Sequence, residues 1–308
     1  TTFNNICGIC RWRFRWICWN PYCSSTYYNY KNNISRIVNE TAKKYTKRLE
    51  NMNSKLLECK DMDKYKIYGE LITANLYRLS NEHFNSIQLE NYYDNNNLIT
   101  IPLDVKYAPN MNARRYFKKY SKLKNAFKIV SEQKLETEKE IDYIESIKYE
   151  LESAITLDEL KEISEEIKEN AIFKEKIKKG KKNKNTKKSQ KHKFSPIEYE
   201  IDGFKIYVGR NNKENDWLTF TFANKNDIWF HTKDFHGSHT ILKIDNNLPY
   251  PNNDILVKVA KLAAKHSKAR NSSNVPVDYC EVKFVKKPSG SKPGMVVYTK
   301  NKTQKVTP

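Results

Sequence analysis

Three histidines and a tryptophan between residues 229 and 239 are the side chains of this sequence best suited to catalysis or ligand binding. His231, His236 and His239 lie close together, and imidazoles bind metals or act as general bases. No cysteine or paired carboxylate stands beside them to complete such a site. We therefore predict no catalytic residue, no metal site and no cofactor in this stretch.

From residue 228 to residue 233, isoleucine, phenylalanine and threonine side chains alternate with indole, imidazole and ammonium side chains, which is the period of two of a strand. Such a strand sends Ile228 and Phe230 to one face. Trp229, His231 and Lys233 then share the other face. Because an aromatic ring stacks on a base while an ammonium group contacts phosphate, this face is predicted to bind RNA. A buried tryptophan beside a histidine that bonds to the backbone is the alternative.

Basic residues further along supply the rest of the predicted surface. Four lysines at i, i+3, i+7 and i+10 share one face of a helix predicted over residues 254–268, with a solvated face as the alternative. The loop 287–294 combines prolines with glycines, but Met295 stands where a Walker loop needs lysine, so nucleotide hydrolysis is not supported. The predicted RNA-binding residues are Trp229, His231, Lys233, His239, Lys258, Lys261, Lys265, Lys268, Arg270, Lys286, Lys287 and Lys292.

The charge distribution agrees with a polyanionic partner. The net charge is +20, and half of it comes from residues 174–193, which hold eleven lysines and one acid. That tract has almost no apolar residues with which to offset the entropy of ordering, so residues 171–193 are predicted to be a flexible polybasic linker. A solubilising tether without phosphate contacts is the alternative. No apolar run is long enough to predict a membrane span.

Residues 34–170 have the pattern of a long helical arm. Apolar positions three and four apart begin at Ile34 and continue to Leu79, with an interruption near residues 61–63. A second helix over 112–153 carries a coiled-coil seam from Tyr116 to Ile155. Two short strands, 86–93 and 98–103, predict a hairpin at the far end of this antiparallel pair. A short helix over 156–169 follows, with Thr156 as N-cap and Glu159 completing a capping box.

The first 33 residues differ abruptly from the rest. They hold Cys7, Cys10, Cys18 and Cys23 among tryptophans and arginines, without a helix or strand period. The cysteine spacing has too short a central gap for the usual zinc ribbons and fingers. We predict an atypical leader, either non-native or disordered, and keep a zinc-dependent module as a hypothesis.

Residues 194–308 change character again and predict a compact domain. Strands are predicted over residues 198–201, 204–209, 218–222, 228–233, 239–244, 277–287 and 295–299. With the helix 254–268, they indicate a mostly antiparallel α+β domain. The predicted fold class is therefore α+β, with a long antiparallel coiled-coil arm that ends in a small hairpin and precedes the compact domain.

Several motifs of the sequence resemble the RqcH or NFACT family, whose bacterial members were called fibronectin-binding protein A-like. The resemblance covers about residues 34–308. In the compact domain it is carried by Asp227-Ile-Trp-Phe-His-Thr-Lys, Gly237-Ser-His, Leu262-Ala-Ala-Lys-His-Ser-Lys-Ala-Arg, Val275-Pro-Val-Asp-Tyr and Lys286-Lys-Pro-Ser-Gly-Ser-Lys-Pro-Gly-Met-Val. In the arm it is carried by Tyr68-Gly-Glu-Leu-Ile-Thr-Ala-Asn-Leu, Glu90-Asn-Tyr-Tyr, Ile101-Pro-Leu-Asp and residues 112–120.

The resemblance implies a non-enzymatic, cytoplasmic factor of ribosome-associated quality control. In that family the protein binds obstructed large ribosomal subunits, through rRNA and ribosomal protein, and recruits tRNA for tailing of the stalled chain, with alanine in bacteria. Neither a membrane nor a small-molecule substrate is implied. His236 replaces the proline that the family usually has there. The resemblance does not extend to the family's NFACT-N and helix-hairpin-helix regions, so tailing by this chain alone is not expected. A surface adhesin for matrix proteins is the alternative function.

Overall fold

The computed structural model describes residues 21–79, 84–173, 194–245 and 249–308, with the side chains of residues 21–24 left out. The polybasic tract 174–193 and the four leader cysteines, as possible metal ligands, lie outside that description. Residues 21–33, which were predicted to be part of the leader, are the first turns of a long helix. The disordered alternative for the leader was therefore wrong at these residues.

Three helices form the coiled-coil part of the chain. Helix α1 is Pro21–Cys59, α2 is Met62–Ala74 and α3 is Pro109–Ser153, so the predicted interruption near residue 61 is present. Two contacts show that α3 runs antiparallel to α1 and α2. The Tyr27 hydroxyl at the start of α1 donates to Ala154 O just after α3 (2.7 Å), and the Tyr65 ring of α2 stacks on the Tyr116 ring near the start of α3. The predicted seam is wrong at Phe127 and Ile155, which are 43% and 69% exposed. Ile155 follows the last residue of α3, where the helical period no longer applies.

A β-hairpin packs on one of the helix ends. Strands β1 (Ser86–Asn91) and β2 (Asn97–Pro102) pair in antiparallel register across a turn in which Asn95 and Asn96 adopt positive φ. Asparagine tolerates that conformation better than most residues. A small core of Leu71, Ile72, Ile87, Leu89, Ile101, Leu103 and Ala113 joins α2, the hairpin and the start of α3.

Helix α4 (Leu157–Glu169) has the predicted capping box. Thr156 Oγ1 accepts from the Glu159 backbone N–H at 3.2 Å, and the Glu159 carboxylate accepts from the Thr156 N–H at 3.1 Å. These bonds satisfy donors that the first helical turn leaves open. The apolar side of α4 is fully buried at Leu160.

The C-terminal part contains an antiparallel sheet of six of the described strands. They are β3 (Ile197–Ile201), β4 (Phe204–Val208), β5 (Ile228–Thr232), β6 (Thr240–Leu242), β7 (Val275–Glu281) and β10 (Lys302–Val306). Their spatial order is β10-β7-β5-β6-β4-β3, with β5 near the centre. A two-residue pair, β8 (Val285–Lys286) and β9 (Val297–Tyr298), lies beside it. Helix α6 (Asn253–Lys265) covers one face through Val259, Ala260, Ala263 and Ala264, which are buried against Ile206, Phe230 and Leu242.

Two predicted strands of this domain differ from the observed elements, and one observed strand was not predicted. Residues 218–222 have the alternating apolar and polar pattern of a strand, but they continue helix α5 (Asn212–Trp217) as a π-helical turn. The Asn211 side chain caps the first turn of α5, and the chain stays helical through residue 222. The strand predicted over 277–287 ends at Glu281, where a short 3₁₀ turn follows. Strand β10, which is rich in lysine, was not predicted.

The described residues group into two compact units that divide the chain differently from the predicted domains. One contains the described residues between 43 and 141, and the other contains those between 21 and 42 together with those from 142 onwards. The end of α3 and all of α4 thus belong to the same unit as the sheet. The domain boundaries predicted at residues 33, 170 and 193 stay predictions.

The capping box gives a direct test of how α4 is stabilised. Thr156→Ala removes the acceptor for the Glu159 N–H and should lower the free energy of unfolding by about 1 kcal/mol. Urea denaturation followed by circular dichroism measures the change. Thr156→Ser keeps the hydroxyl and should have little effect; equal losses in the two variants would contradict the role of the cap.

Candidate nucleic-acid interface

Trp229 does not lie on an open face of the sheet. Its side chain is fully buried, in a second core with Leu218, Ile241, Cys280, Val282 and Val285 on the face opposite α6. Residues of the π-helical turn and of the β8–β9 pair contribute to this cover. The prediction that Trp229 stacks on a base from an open strand face was therefore wrong, because the sheet is covered on both sides.

His231, which was predicted on that face, and His239, another of the predicted RNA-binding residues, both contact Trp229. The His231 ring stacks on the indole with a centroid distance of 5.7 Å and an interplanar angle of 12°, and the His239 ring meets the indole edge-on at 5.3 Å. His239 Nδ1 lies 2.8 Å from the Thr219 hydroxyl of the π-helical turn. Burial lowers the pKa of His231 to about 4 and that of His239 to about 3, so both rings are neutral near pH 7.

The predicted basic residues are on the surface, and the structure divides them by their partners. Lys258 pairs with Asp202 at 2.6 Å, Lys268 pairs with Glu145 at 2.8 Å, and Lys287 pairs with Asp216. Lys292 donates to Asn170 Oδ1 at 3.0 Å. No ion pair with other described residues is made by Lys233, Lys261, Lys265, Arg270 or Lys286.

Helix α6 brings one part of the predicted set together. Its buried side faces the core, so Lys258, Lys261 and Lys265 share the exposed side as predicted. Lys268 and Arg270 follow the helix and are also exposed. Lys286, Lys287 and Lys292 belong to β8 and the loop after it, and Lys233 follows β5. These positions form no single stripe with the lysines of α6.

A cavity of about 320 Å³ lies between the end of α3 and the strand that carries Trp229. The α3 side contributes Tyr143, Ser146 and Glu150, and the opposite side contributes Trp229 and His231. The turn 234–239 and the loop 293–298 complete the wall. This volume is at the lower end of the range for ligand sites in proteins.

A buried polar network supports the α3 side of this cavity. Asn212, the first residue of α5, donates its backbone N–H to Glu150 Oε1. Its side-chain amide donates to Ser146 Oγ at 3.0 Å and to Glu166 Oε1 at 3.3 Å, and the Tyr143 hydroxyl donates to the same Glu166 oxygen at 2.6 Å. The network thereby joins α3, α4 and α5.

The two buried carboxyl groups of the network influence each other. Burial, together with the negative charge of Glu166, raises the pKa of Glu150 well above its usual range. Burial also raises the pKa of Glu166, while the hydrogen bonds from Tyr143 and Asn212 lower it in part. Because two adjacent buried carboxylates repel each other, we expect Glu150 to be the protonated member of the pair near neutral pH.

Gly294 is required for the close approach of its loop to this network. Its φ is +75°, and an added Cβ would lie 2.4 Å from Asn212 Oδ1. A larger residue would therefore displace the Asn212 side chain and strain the backbone. The close approach that this glycine permits is to the Asn212 side chain.

The sequence analysis missed the network residues Tyr143, Glu150, Glu166 and Asn212. Glu150 and Glu166 stand in helices among many other charged residues, and no periodicity separates them from solvated ones. The only local signal is that Glu150 directly precedes the buried seam residue Leu151. Their burial depends on the packing of three helices, which local sequence does not encode.

Membrane-spanning helices and clusters of metal ligands are both absent from the described parts of the chain. None of the helices there is long and apolar enough to cross a membrane. Within the same residues, no group of three or more histidine, cysteine, aspartate or glutamate side chains is placed to hold a metal ion.

The fold and its basic C-terminal part define a class of protein: an antiparallel coiled coil with a β-hairpin, joined to an antiparallel α+β domain. Residues 24–187 match the family model for the NFACT N-terminal and middle domains, and residues 192–299 match that for the NFACT protein RNA binding domain. The chain therefore belongs to the NFACT family.

Within this family the chain is similar to RqcH proteins. It is 38% identical over 277 residues to the Rqc2 homolog RqcH of Bacillus subtilis and 40% identical over 276 residues to that of Streptococcus pneumoniae. These matches cover 89% of this chain and 47% of each relative, so the chain spans about half the length of the curated relatives it matches. The resemblance inferred from the sequence motifs is confirmed.

A solved structure has the same fold. It is the C-terminal part of the fibronectin/fibrinogen-binding protein from Streptococcus suis, with a TM-score of 0.67 and 32% sequence identity. The match covers 92% of this chain and 95% of that one. The predicted α+β fold class is confirmed.

Gly294 and Gly290 provide a matched test of the polar network. Both have positive φ, but an added Cβ at Gly290 meets no atom within 4 Å. Gly290→Ala should lower the free energy of unfolding by about 1–2 kcal/mol for the backbone alone. Gly294→Ala should lower it by at least about twice that amount, because Asn212 must also move. Equal losses in urea denaturation would show that Asn212 is not held in place.

The neutral state of His239 predicts a dependence of stability on pH. An unfolded histidine binds a proton below a pKa of about 6.5, whereas His239 in the folded chain binds one only below a pKa of about 3. Its contribution is thus fully present above pH 6.5 and is lost as the pH falls towards the folded value. His239→Gln should make the unfolding free energy less dependent on pH, by about 1.4 kcal/mol per unit between roughly pH 6 and pH 4. Parallel curves for the variant and the original chain would show that His239 is charged when folded.

Proposed function

We propose that this chain is the RNA-binding, ribosome-docking part of a ribosome-associated quality-control factor. The observation that carries the proposal is that the family model for an RNA binding domain matches the residues that present the basic face of α6. The curated relatives are named as Rqc2 homologs, and the proposed partners are the obstructed large ribosomal subunit and tRNA. The proposed location is the cytoplasm.

The charges of the C-terminal part favour contacts with phosphate groups. Lys261, Lys265 and Arg270 are exposed and have no carboxylate partner among the described residues, so their charges are available to a polyanion. Lys258 and Lys268 first have to exchange a protein carboxylate for a phosphate. We therefore assign the larger part of the affinity to the three unpaired side chains.

The buried residues of the predicted set have a different role in this proposal. Trp229 and His239 hold the π-helical turn and the β8–β9 pair against the sheet through their ring contacts. They position the surface that carries Lys286, Lys287 and Lys292 and make no contact with phosphate themselves. Tailing of the stalled chain is proposed only for a protein that also supplies the rest of the relatives' length.

Binding to isolated large subunits and to tRNA tests the proposal. Affinity should fall steeply as salt increases, because phosphate contacts release counterions. The triple variant Lys261→Ala, Lys265→Ala, Arg270→Ala should weaken binding and reduce the slope of log K against log salt by about 2 to 3. The measurement is co-sedimentation for the subunit and fluorescence anisotropy for tRNA.

A matched control uses lysines of the same unit that lie outside the predicted surface. Lys302 and Lys305 are exposed on the edge strand β10, so the variant Lys302→Ala, Lys305→Ala should retain the original slope. Immobilised fibronectin serves as the second control, since the structural relative is named for binding it. Salt-insensitive binding to the ribosome would contradict the proposed phosphate contacts, and binding to fibronectin alone would favour the adhesin alternative.

A further inference from the structure

Two residues that line the cavity beside Trp229 each carry a buried polar atom that lacks a partner among the described residues. Trp229 Nε1 and Glu150 Oε2 form no hydrogen bond with any described residue, and both side chains line the cavity. Buried polar atoms are nearly always paired in folded proteins. Two lining residues of one cavity that both retain such an atom suit a group that enters the cavity and bonds to both.

The cavity is accessible from solvent. Asp142 and Phe235 line it and are themselves exposed, Phe235 to 39%. The cavity thus opens beside the turn that follows β5. An exposed phenylalanine at such a mouth offers a ring face to a flat ligand.

The electrostatics of the wall determine the class of ligand. Asp142 and Asp234 line the cavity, while Glu150 and the histidines contribute neutral donors and acceptors. A phosphate group inside would meet carboxylates and no buried cation. A flat, uncharged group that donates and accepts hydrogen bonds fits this wall, and the aromatic lining of Tyr143, Tyr149 and Trp229 suits a heteroaromatic ring.

Cations lie around the cavity. Arg210 lines it, Lys292 stands 5.8 Å from the centroid of the Tyr143 ring, and Lys268 pairs with Glu145 on the same end of α3. The backbone of Lys268 also donates to His236 O in the turn that forms part of the wall. The arrangement, with cations outside and neutral polar groups inside, matches a nucleotide whose base enters and whose phosphates stay outside.

We propose that this cavity receives one unstacked nucleobase of an RNA strand. The base accepts a hydrogen bond from Trp229 Nε1 and exchanges one with the Glu150 carboxyl group, while Arg210, Lys268 and Lys292 contact the flanking phosphates. The acidic lining favours bases that carry an amino group, namely adenine, cytosine and guanine, over uracil. This inference rests on the proposed function, because it requires that the chain binds RNA.

The substitution Trp229→Phe tests the hydrogen bond while it keeps an aromatic ring in the core. With the full chain and a short single-stranded RNA rich in adenine and cytosine, the variant should bind about tenfold more weakly. Its salt dependence should stay as in the original chain, since no phosphate contact is removed. Glu150→Gln keeps a donor and an acceptor and should bind almost normally, whereas Glu150→Leu should weaken binding.

A measurement on the unmodified chain covers the case in which a variant does not fold. One adenine of the RNA is replaced by 2-aminopurine, and quenching of its fluorescence by acrylamide is recorded. A base inside the cavity should be quenched several-fold less than in free RNA. Equal quenching, or unchanged affinity of folded Trp229→Phe, would overturn the proposal and leave the cavity to water.

Failure of the cavity proposal is distinguishable from failure of the proposed function. If the triple variant of Lys261, Lys265 and Arg270 weakens RNA binding but Trp229→Phe does not, the basic surface binds RNA without the cavity. If the original chain binds neither large subunits nor tRNA at low salt, the proposed function itself is wrong. Preference for an adenine-rich over a uracil-rich RNA, together with weaker binding of the adenine-rich RNA by Trp229→Phe, supports the cavity assignment.

Discussion

The buried hydrogen-bond network around Asn212 is the interaction on which the C-terminal unit depends. It joins α3, α4 and α5 through groups that would each be costly to bury alone. Removing one side chain of the network leaves a buried donor or carboxyl group without a partner. The hydrogen bonds of the network are therefore cooperative, since the loss of one weakens the others. This explains why the last turns of a long coiled-coil helix belong to the same compact unit as the sheet.

The features predicted correctly from the sequence are those set by local patterns. The long helices follow from apolar periodicity, the hairpin from its asparagine turn, and the α4 cap from Thr156 and Glu159. The lysine side of α6 follows from helical geometry alone. Each of these signals is contained within a few turns or residues, so no tertiary information was needed.

The candidate site was predictable only in part, because burial is a property of the whole fold. Trp229 and His231 share a face of β5, as the period-two pattern predicts, while their binding role stays a prediction. What covers that face is the π-helical turn over Leu218–Phe222 together with the β8–β9 pair, and the turn was predicted to be a strand. With that cover misassigned, an exposed aromatic face was the natural but wrong expectation. The network residue Glu150 was invisible for a related reason, since a glutamate in a charged helix is usually solvated.

The arrangement also explains how one small domain can combine a rigid core with a polar cavity. Burial keeps His231 and His239 neutral, and the adjacent carboxyl groups keep a proton on Glu150, so the interior around Trp229 carries little net charge. The lysines and arginine that give the chain its basic character are held outside, on α6 and in the loops. In the proposed complex with RNA, this separation of charge from hydrogen-bonding capacity assigns the phosphate contacts to the surface. It assigns any discrimination between bases to the interior, where the polar atoms are fixed by packing.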